Sequence, residues 1–125
     1  MAAYAKHPLL LAAAVAHTAL GFGHTAKGLS QFSHPSLSQL PRFLRSNVQA
    51  GWYEGSVFFV MLGILNYKWA QTGLVDTPDK ALATLIVTLL FGAGGNYIRT
   101  GDKPTGIVLS LVGILQTVAA RGASL

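Results

Sequence analysis

Four long apolar stretches, separated by short polar links, make up most of this chain. They cover residues 8–27, 47–69, 80–98 and 104–120. A helix needs about 20 mainly apolar residues to cross a bilayer, with a range of about 17–25. The last two stretches are short and would need tight packing or a thinned bilayer. The pattern predicts an all-α fold, an integral membrane four-helix transmembrane bundle, with residues 1–125 forming a single four-span membrane domain.

The composition favours a membrane protein and excludes several functions. Only 10% of the 125 residues are charged and 51% are hydrophobic, whereas a soluble domain usually has about 25% charged residues. The nine bases stand singly at the helix ends. This placement suits contact with membrane lipids and lacks the basic stripe that nucleic-acid binding requires. The absence of cysteine excludes disulfides, thiolate catalysis and thiolate metal sites.

The links carry the signals that end and start helices. Asp76-Thr77-Pro78-Asp79 is typical of a helix start, and Gly101-Asp102-Lys103-Pro104 of a tight turn. The longest link, Gly28 to Ser46, contains LSQLPRFL. We expect this segment to lie at the membrane interface as a short amphipathic piece or a lid.

The localisation predicted is integral membrane and multi-pass, in the endoplasmic reticulum if the source is eukaryotic. Lys6 followed by Ala14-Val15-Ala16 resembles a signal peptide. Because the apolar run continues past that point, we expect it to be kept as the first span. Four spans place both termini on one side, with four bases there and five opposite, so the positive-inside rule gives no orientation.

Small residues at helical spacing predict how the helices pack. These residues are Gly51 and Gly55; Thr84, Thr88, Gly92 and Gly95; and Gly106, Ser110, Gly113 and Thr117. Where such stripes are exposed they would also suit a homodimer. Asn66 and Gln116 predict a separate interhelical contact.

Ionisable side chains inside the spans are the candidate functional residues. A charge at the bilayer centre costs roughly 2.5–3.5 kcal/mol, so it is rarely kept without a partner or a function. His17 and His24 are seven residues apart and share a helix face. The helical rise places Glu54 roughly 10 Å deep, between the depths of these histidines. We therefore predict Glu54, His17 and His24 as acid–base groups.

Further polar and aromatic residues fall in the same half of the membrane. Asn96 and Arg99 end the third span, so we expect them in one layer with Glu54 and both histidines, opening toward the long link. The predicted catalytic residues are Glu54, His17, His24 and Tyr53. The predicted substrate-binding residues are Gln49, Trp52, Asn96 and Arg99.

Alternative roles exist for several of these residues. Glu54 could be a structural acid paired with a histidine or Arg99, Trp52 and Tyr53 could be interfacial aromatics, and Arg99 a base snorkelling to the interface. One histidine could bind haem or donate to a quinone. Because the two imidazoles lie about 10 Å apart along the helix, we predict no shared metal.

The order of features resembles the DoxX-like group of small four-helix membrane proteins. The matching elements are Gly23-His24-Thr25-Ala26-Lys27, then Leu40-Pro41, then an acidic residue in the second helix, Glu54. The chain is also similar to small four-span proteins of fungal natural-product clusters, among them anthrone oxygenases and membrane epoxide hydrolases or cyclases. The resemblance implies acid–base chemistry on a lipophilic small molecule without a dedicated cofactor.

The leading hypothesis is therefore a membrane-embedded, cofactor-independent acid–base enzyme acting on a lipophilic metabolite. Epoxide hydrolysis or cyclisation, or an isomerisation, would use the same groups. One alternative is a redox membrane subunit that holds a quinone or haem at His17 or His24. Another is a non-catalytic scaffold or assembly protein, in which Glu54 only fixes the helix register.

Overall fold

Five helices account for most of residues 6–124, the part of the chain that the computed structural model describes. Helix α1 spans Pro8–Phe32, α2 Pro35–Ser38, α3 Arg42–Thr72, α4 Thr77–Arg99 and α5 Lys103–Gly122. No strand occurs within residues 6–124, where one isolated parallel bridge joins Leu74 to Ser124. The prediction of an all-α fold is confirmed.

Four of these helices, α1, α3, α4 and α5, are long and apolar enough to cross a membrane. This agrees with the predicted multi-pass membrane protein. All four extend beyond the apolar stretches, because the polar turns at their ends continue the helix. Helices α4 and α5 have 23 and 20 residues, within the usual spanning range of about 17–25. The two apolar stretches are short, but their polar end turns make the helices long enough to span a membrane.

The helix start predicted at Asp76–Asp79 and the turn predicted at Gly101–Pro104 are both found, and each link supplies the capping residue of the next helix. The Asp76 side chain accepts a hydrogen bond from the Asp79 N–H at 2.8 Å, which caps α4. Asp102 caps α5 in the same way, accepting from the Thr105 N–H at 3.4 Å. Gly101, in the turn before Asp102, has a φ of 101°, a left-handed conformation that glycine adopts readily.

The long first link differs from its prediction. Its helix, α2, has only four residues and none of them is buried. The predicted amphipathic piece is divided, since RFL belongs to the first turn of α3.

The described helices belong to two compact units. The hairpin unit, Val15–Ile64, contains α2, most of α1 and the first part of α3. The bundle unit has residues 6–14 and 65–124, which are the start of α1, the end of α3, and all of α4 and α5. All four long helices therefore contribute segments to the bundle unit.

Buried polar pairs link the helices of the bundle unit. Gln116 and Asn66 are fully buried, and the Gln116 Nε2 donates to Asn66 Oδ1 at 3.0 Å. This bond is the interhelical contact predicted from sequence. The Trp69 Nε1 donates to Asp79 Oδ1 at 2.8 Å, and the Val75 N–H donates to Asp79 Oδ2 at 3.1 Å. One carboxylate thus connects α3, the following link and α4.

Helices α4 and α5 pack closely where glycines face each other. A Cβ added to Gly106 would lie 2.6 Å from Gly94 O and would also overlap Ile98. A Cβ on Gly94 would lie 2.7 Å from Ser110 Oγ. The stripe predicted on α5 is buried at Gly106 and Gly113.

The stripe predicted on α4 is on the wrong face. Gly92 and Gly95 have open space beside them, and Thr84 and Thr88 are exposed. The buried face of α4 contains Ala83, Ile86, Leu90 and Gly94 instead. The prediction relied on the smallest residues and so missed the buried face of α4, where one glycine lies among larger apolar residues.

Replacing Asp79 with Ala should destabilise the bundle unit by about 1–3 kcal/mol, because the buried Trp69 indole N–H loses its acceptor. Equilibrium unfolding in mixed micelles, followed by circular dichroism, measures this change. In a Trp69→Phe background the cost of Asp79→Ala should shrink, because the donor is already absent. Equal costs in both backgrounds would contradict the assigned bond.

Replacing Gly106 with Ala should separate α4 from α5 and lower the free energy of unfolding by about 1–3 kcal/mol, since overpacking is destabilising. Gly95→Ala is the matched control, because its new Cβ meets open space. Helix propensity alone would stabilise that control by up to about 1 kcal/mol. The same unfolding measurement should therefore give opposite signs, and equal effects would refute the close contact.

Candidate functional site

His24 on α1 is held between two residues of α3 in the hairpin unit. Its imidazole stacks on the Trp52 indole, with ring centroids 4.4 Å apart and an interplanar angle of 13°. Its Nδ1 is hydrogen-bonded to Ser56 Oγ at 3.0 Å. The Trp52 Nε1 donates to the backbone carbonyl of His24 at 2.6 Å. These three contacts tie α1 to α3 and fix the imidazole in place.

The direction of the His24–Ser56 bond follows from the hydroxyl group. Ser56 Oγ donates to the Trp52 carbonyl at 3.3 Å, and a hydroxyl has only one hydrogen to donate. His24 Nδ1–H is therefore the donor to Ser56. Phe59 adds an edge contact to the imidazole, with centroids 5.6 Å apart.

Spacing on the two helices explains why this cluster forms. Trp52, Ser56 and Phe59 follow each other at intervals of four and three residues, so they lie on one face of α3. Two glycines make room for the rings. A Cβ on Gly28 would overlap the Trp52 indole, and one on Gly55 would lie 3.0 Å from His24 Cε1.

Glu54 lies on a different face of α3 from this cluster and is exposed. With 3.6 residues per turn, it is rotated about 200° from both Trp52 and Ser56. The bonded partner of His24 is therefore Ser56, and the expected pairing of Glu54 with His24 is corrected. The physical reason is that residues two apart point to nearly opposite sides of a helix.

Glu54 and Tyr53 share a surface groove on α3, which we call the α3 groove. It is open over most of its extent and is formed by residues of α3 alone. The groove is further lined by the small residues Ala50, Gly51 and Gly55 and by the apolar residues Val57, Phe58 and Met61. It therefore combines a carboxylate and a phenol with a largely apolar surface.

A second depression, the link cleft, lies where the long link joins the helices. It is lined by residues 30–37 together with Val48 and Trp52, and its volume is about 710 Å³. Phe32 packs edge-on against Trp52 and Tyr53, with centroids 6.3 and 5.6 Å apart. Trp52 therefore separates the cleft from the His24 imidazole stacked on it.

The remaining predicted residues lie elsewhere. His17 is fully buried and lines neither the α3 groove nor the link cleft. Gln49 is half-buried on α3. Asn96 and Arg99 are exposed in the bundle unit, where Arg99 Nη2 donates to Asn96 Oδ1 at 3.2 Å. Their predicted convergence with Glu54 stays a prediction.

Two residues that were not predicted from the sequence lie at these sites: Ser56 beside His24, and His34 in the link cleft. Ser56, the hydrogen-bond partner of His24, could have been found from its four-residue spacing to Trp52. His34, which lies outside the predicted spans and was not among the predicted site residues, lines the link cleft. Within residues 6–124, no group of three His, Asp or Glu side chains could hold a metal ion.

Replacing Gly28 with Ala should push the Trp52 indole away from α1, because the new Cβ would occupy the position of the ring. The Trp52 bond to the His24 carbonyl would be lost, and we expect a destabilisation of about 1–3 kcal/mol. Unfolding in micelles and the tryptophan emission maximum measure both effects. Gly23→Ala, on the same helix with open space beside it, should leave the emission maximum unchanged and stabilise the protein by up to about 1 kcal/mol through helix propensity; similar effects of the two variants would rule out the proposed steric cause.

Within the hairpin unit, His24 and Trp52 form one group, and Tyr53 and Glu54 form another in the α3 groove. Glu54 and Trp52 lie on different faces of α3. The first group connects helices, whereas the second lines an open groove. Searches of protein families, curated proteins and solved structures find no match to this chain.

Proposed function

We propose that this protein is a membrane-embedded enzyme that acts on a lipophilic small molecule by acid–base chemistry. The observation that carries the proposal is the shared position of Glu54 and Tyr53 in the α3 groove. The groove's apolar residues suit a substrate that partitions into the bilayer. The resemblance to DoxX-like proteins favours the same chemical class.

The two groups have complementary roles in this proposal. The Glu54 carboxylate removes a proton from water or from a substrate hydroxyl, and the Tyr53 phenol protonates a developing oxyanion. In epoxide opening, the attacking oxygen forms a new C–O bond as the ring C–O bond breaks. Proton return from Glu54 to the Tyr53 phenolate restores both residues. An isomerisation would use Glu54 to remove and return one proton.

His24 has a positioning role in the proposed mechanism. It bonds Ser56 and stacks on Trp52, and both residues lie about 200° from Glu54 around α3. These contacts fix the rotation of α3 relative to α1, so that the α3 face carrying Glu54 is turned away from His24. In this proposal the residue that protonates the developing oxyanion is Tyr53, whereas an acid–base role was predicted for the histidines from the sequence.

The test begins with a solvent extract of the protein purified in mild detergent, analysed by mass spectrometry. An oxygenated lipophile enriched over bulk lipid identifies the substrate class, and its conversion by the purified protein is then measured. Glu54→Gln should lower turnover by at least about 10²-fold, because the proton acceptor is lost, while leaving the helical content unchanged. Tyr53→Phe should also lower turnover.

Tyr67→Phe is the matched control, because Tyr67 is an exposed tyrosine of the same helix outside the groove. It should leave turnover unchanged. Full activity of Glu54→Gln would refute the proposal. An enriched quinone or a visible chromophore would favour the redox alternative, and loss of stability in Glu54→Gln with no enriched lipophile would favour a scaffold.

A further inference from the structure

We propose that the link cleft binds an anionic phospholipid of the surrounding membrane, with the phosphate at its polar side and the acyl chains along its apolar side. This site is separate from the α3 groove. The link cleft contains neither Tyr53 nor Glu54, so the inference does not rest on the proposed enzymatic function.

The lining of the link cleft is amphipathic. Its polar part comes from three serines within residues 30–37, together with Gln31 and His34. Its apolar part includes Phe32, Val48 and Trp52. A ligand that fits both parts has a polar head and an apolar tail, as a membrane lipid does.

His34 presents a hydrogen-bond donor at this site. Its Nδ1 accepts a hydrogen bond from the Ser36 N–H at 3.2 Å, so the ring proton of the neutral imidazole is on Nε2. This N–H donor makes His34 better suited to an anion than to a cation.

The charges of the hairpin unit favour an anionic head. The unit contains three bases, Lys27, Arg42 and Arg45, and one acid, Glu54. Residues three apart are neighbours on a helix surface. Lys27 is therefore a neighbour of Ser30, the first cleft residue on α1, and Arg45 is a neighbour of Val48 on α3. Glu54 lies on a different face of α3 from Trp52 and so does not offset these bases at the cleft.

The position of the cleft along the chain favours a lipid as the source of the phosphate. The cleft is formed by the end of α1, the exposed α2 and the start of α3, and both long helices are candidate membrane spans. Helix ends lie at headgroup depth, where bases attract anionic lipids. Trp52 also suits this depth, because its indole is amphipathic.

The experiment uses the full chain in phosphatidylcholine vesicles that contain a minor fraction of lipid with brominated acyl chains. Bromine quenches nearby tryptophan, so quenching that disappears in Trp52→Phe reports acyl chains beside Trp52. We expect brominated phosphatidylglycerol to quench Trp52 more strongly than brominated phosphatidylcholine at the same fraction. Equal quenching by the two lipids would overturn the proposal.

Charge variants test the contribution of the bases. Arg45→Gln should weaken the phosphatidylglycerol dependence by about fivefold, the effect of one base near an anionic surface. Lys68→Gln, which removes an exposed base elsewhere on α3, is the matched control and should have little effect. Equal losses in the two variants would show general surface attraction and would contradict a specific site.

A soluble headgroup distinguishes the two sources of phosphate. Glycerol 3-phosphate, added to the vesicles, should leave the quenching by brominated phosphatidylglycerol unchanged if the apolar part of the cleft contributes to binding. Displacement by glycerol 3-phosphate at comparable concentration would overturn the lipid assignment in favour of a site for free phosphate esters.

Discussion

Pairing of polar side chains between helices is the constraint on which this structure depends. Inside a bilayer no water is available to satisfy a polar group, so each one must find a partner within the protein. Gln116 Nε2 with Asn66 Oδ1 and Trp69 with Asp79 meet this requirement in the bundle unit, as do His24 and Ser56 in the hairpin unit, whereas Gln116 Oε1 is buried without a hydrogen-bond partner among residues 6–124. Each pair joins two helices and therefore also fixes their rotation and depth relative to each other.

The division of α3 into two faces connects packing to the proposed chemistry. One face carries Trp52 and Ser56 and is occupied by contacts with α1, while the opposite face carries Glu54 in an open groove. Trp52 and Ser56 hold the hairpin unit together through α1, and Tyr53, which packs edge-on against Phe32, lies between the two faces. A side chain directed away from α1 can meet a small molecule. The two tasks therefore fall to neighbouring residues of one helix.

Much of the fold could be predicted from the sequence, whereas the site could be predicted only in part. Apolar length predicted the four spans, capping chemistry predicted the helix start at Asp76, turn residues predicted the turn at Gly101–Pro104, and depth predicted the Asn66–Gln116 contact. Depth fixes position along a helix axis but not rotation about it. For that reason Glu54 was expected beside His24, and the buried face of α4 was assigned to Gly92 and Gly95 instead of Gly94. The predicted chemical roles depend on a substrate, which the folded chain does not specify.

The length of α3 has a mechanical consequence. Its 31 residues extend about 46 Å, whereas the hydrocarbon core of a bilayer is about 30 Å thick. The helix must therefore tilt, project into the headgroup layer, or do both. A change in bilayer thickness therefore alters either the tilt of α3 or how far its polar turns after Arg42 project into the headgroup layer. Lipid composition thus bears most strongly on α3, which is longer than the 25-residue α1 and the 23-residue α4.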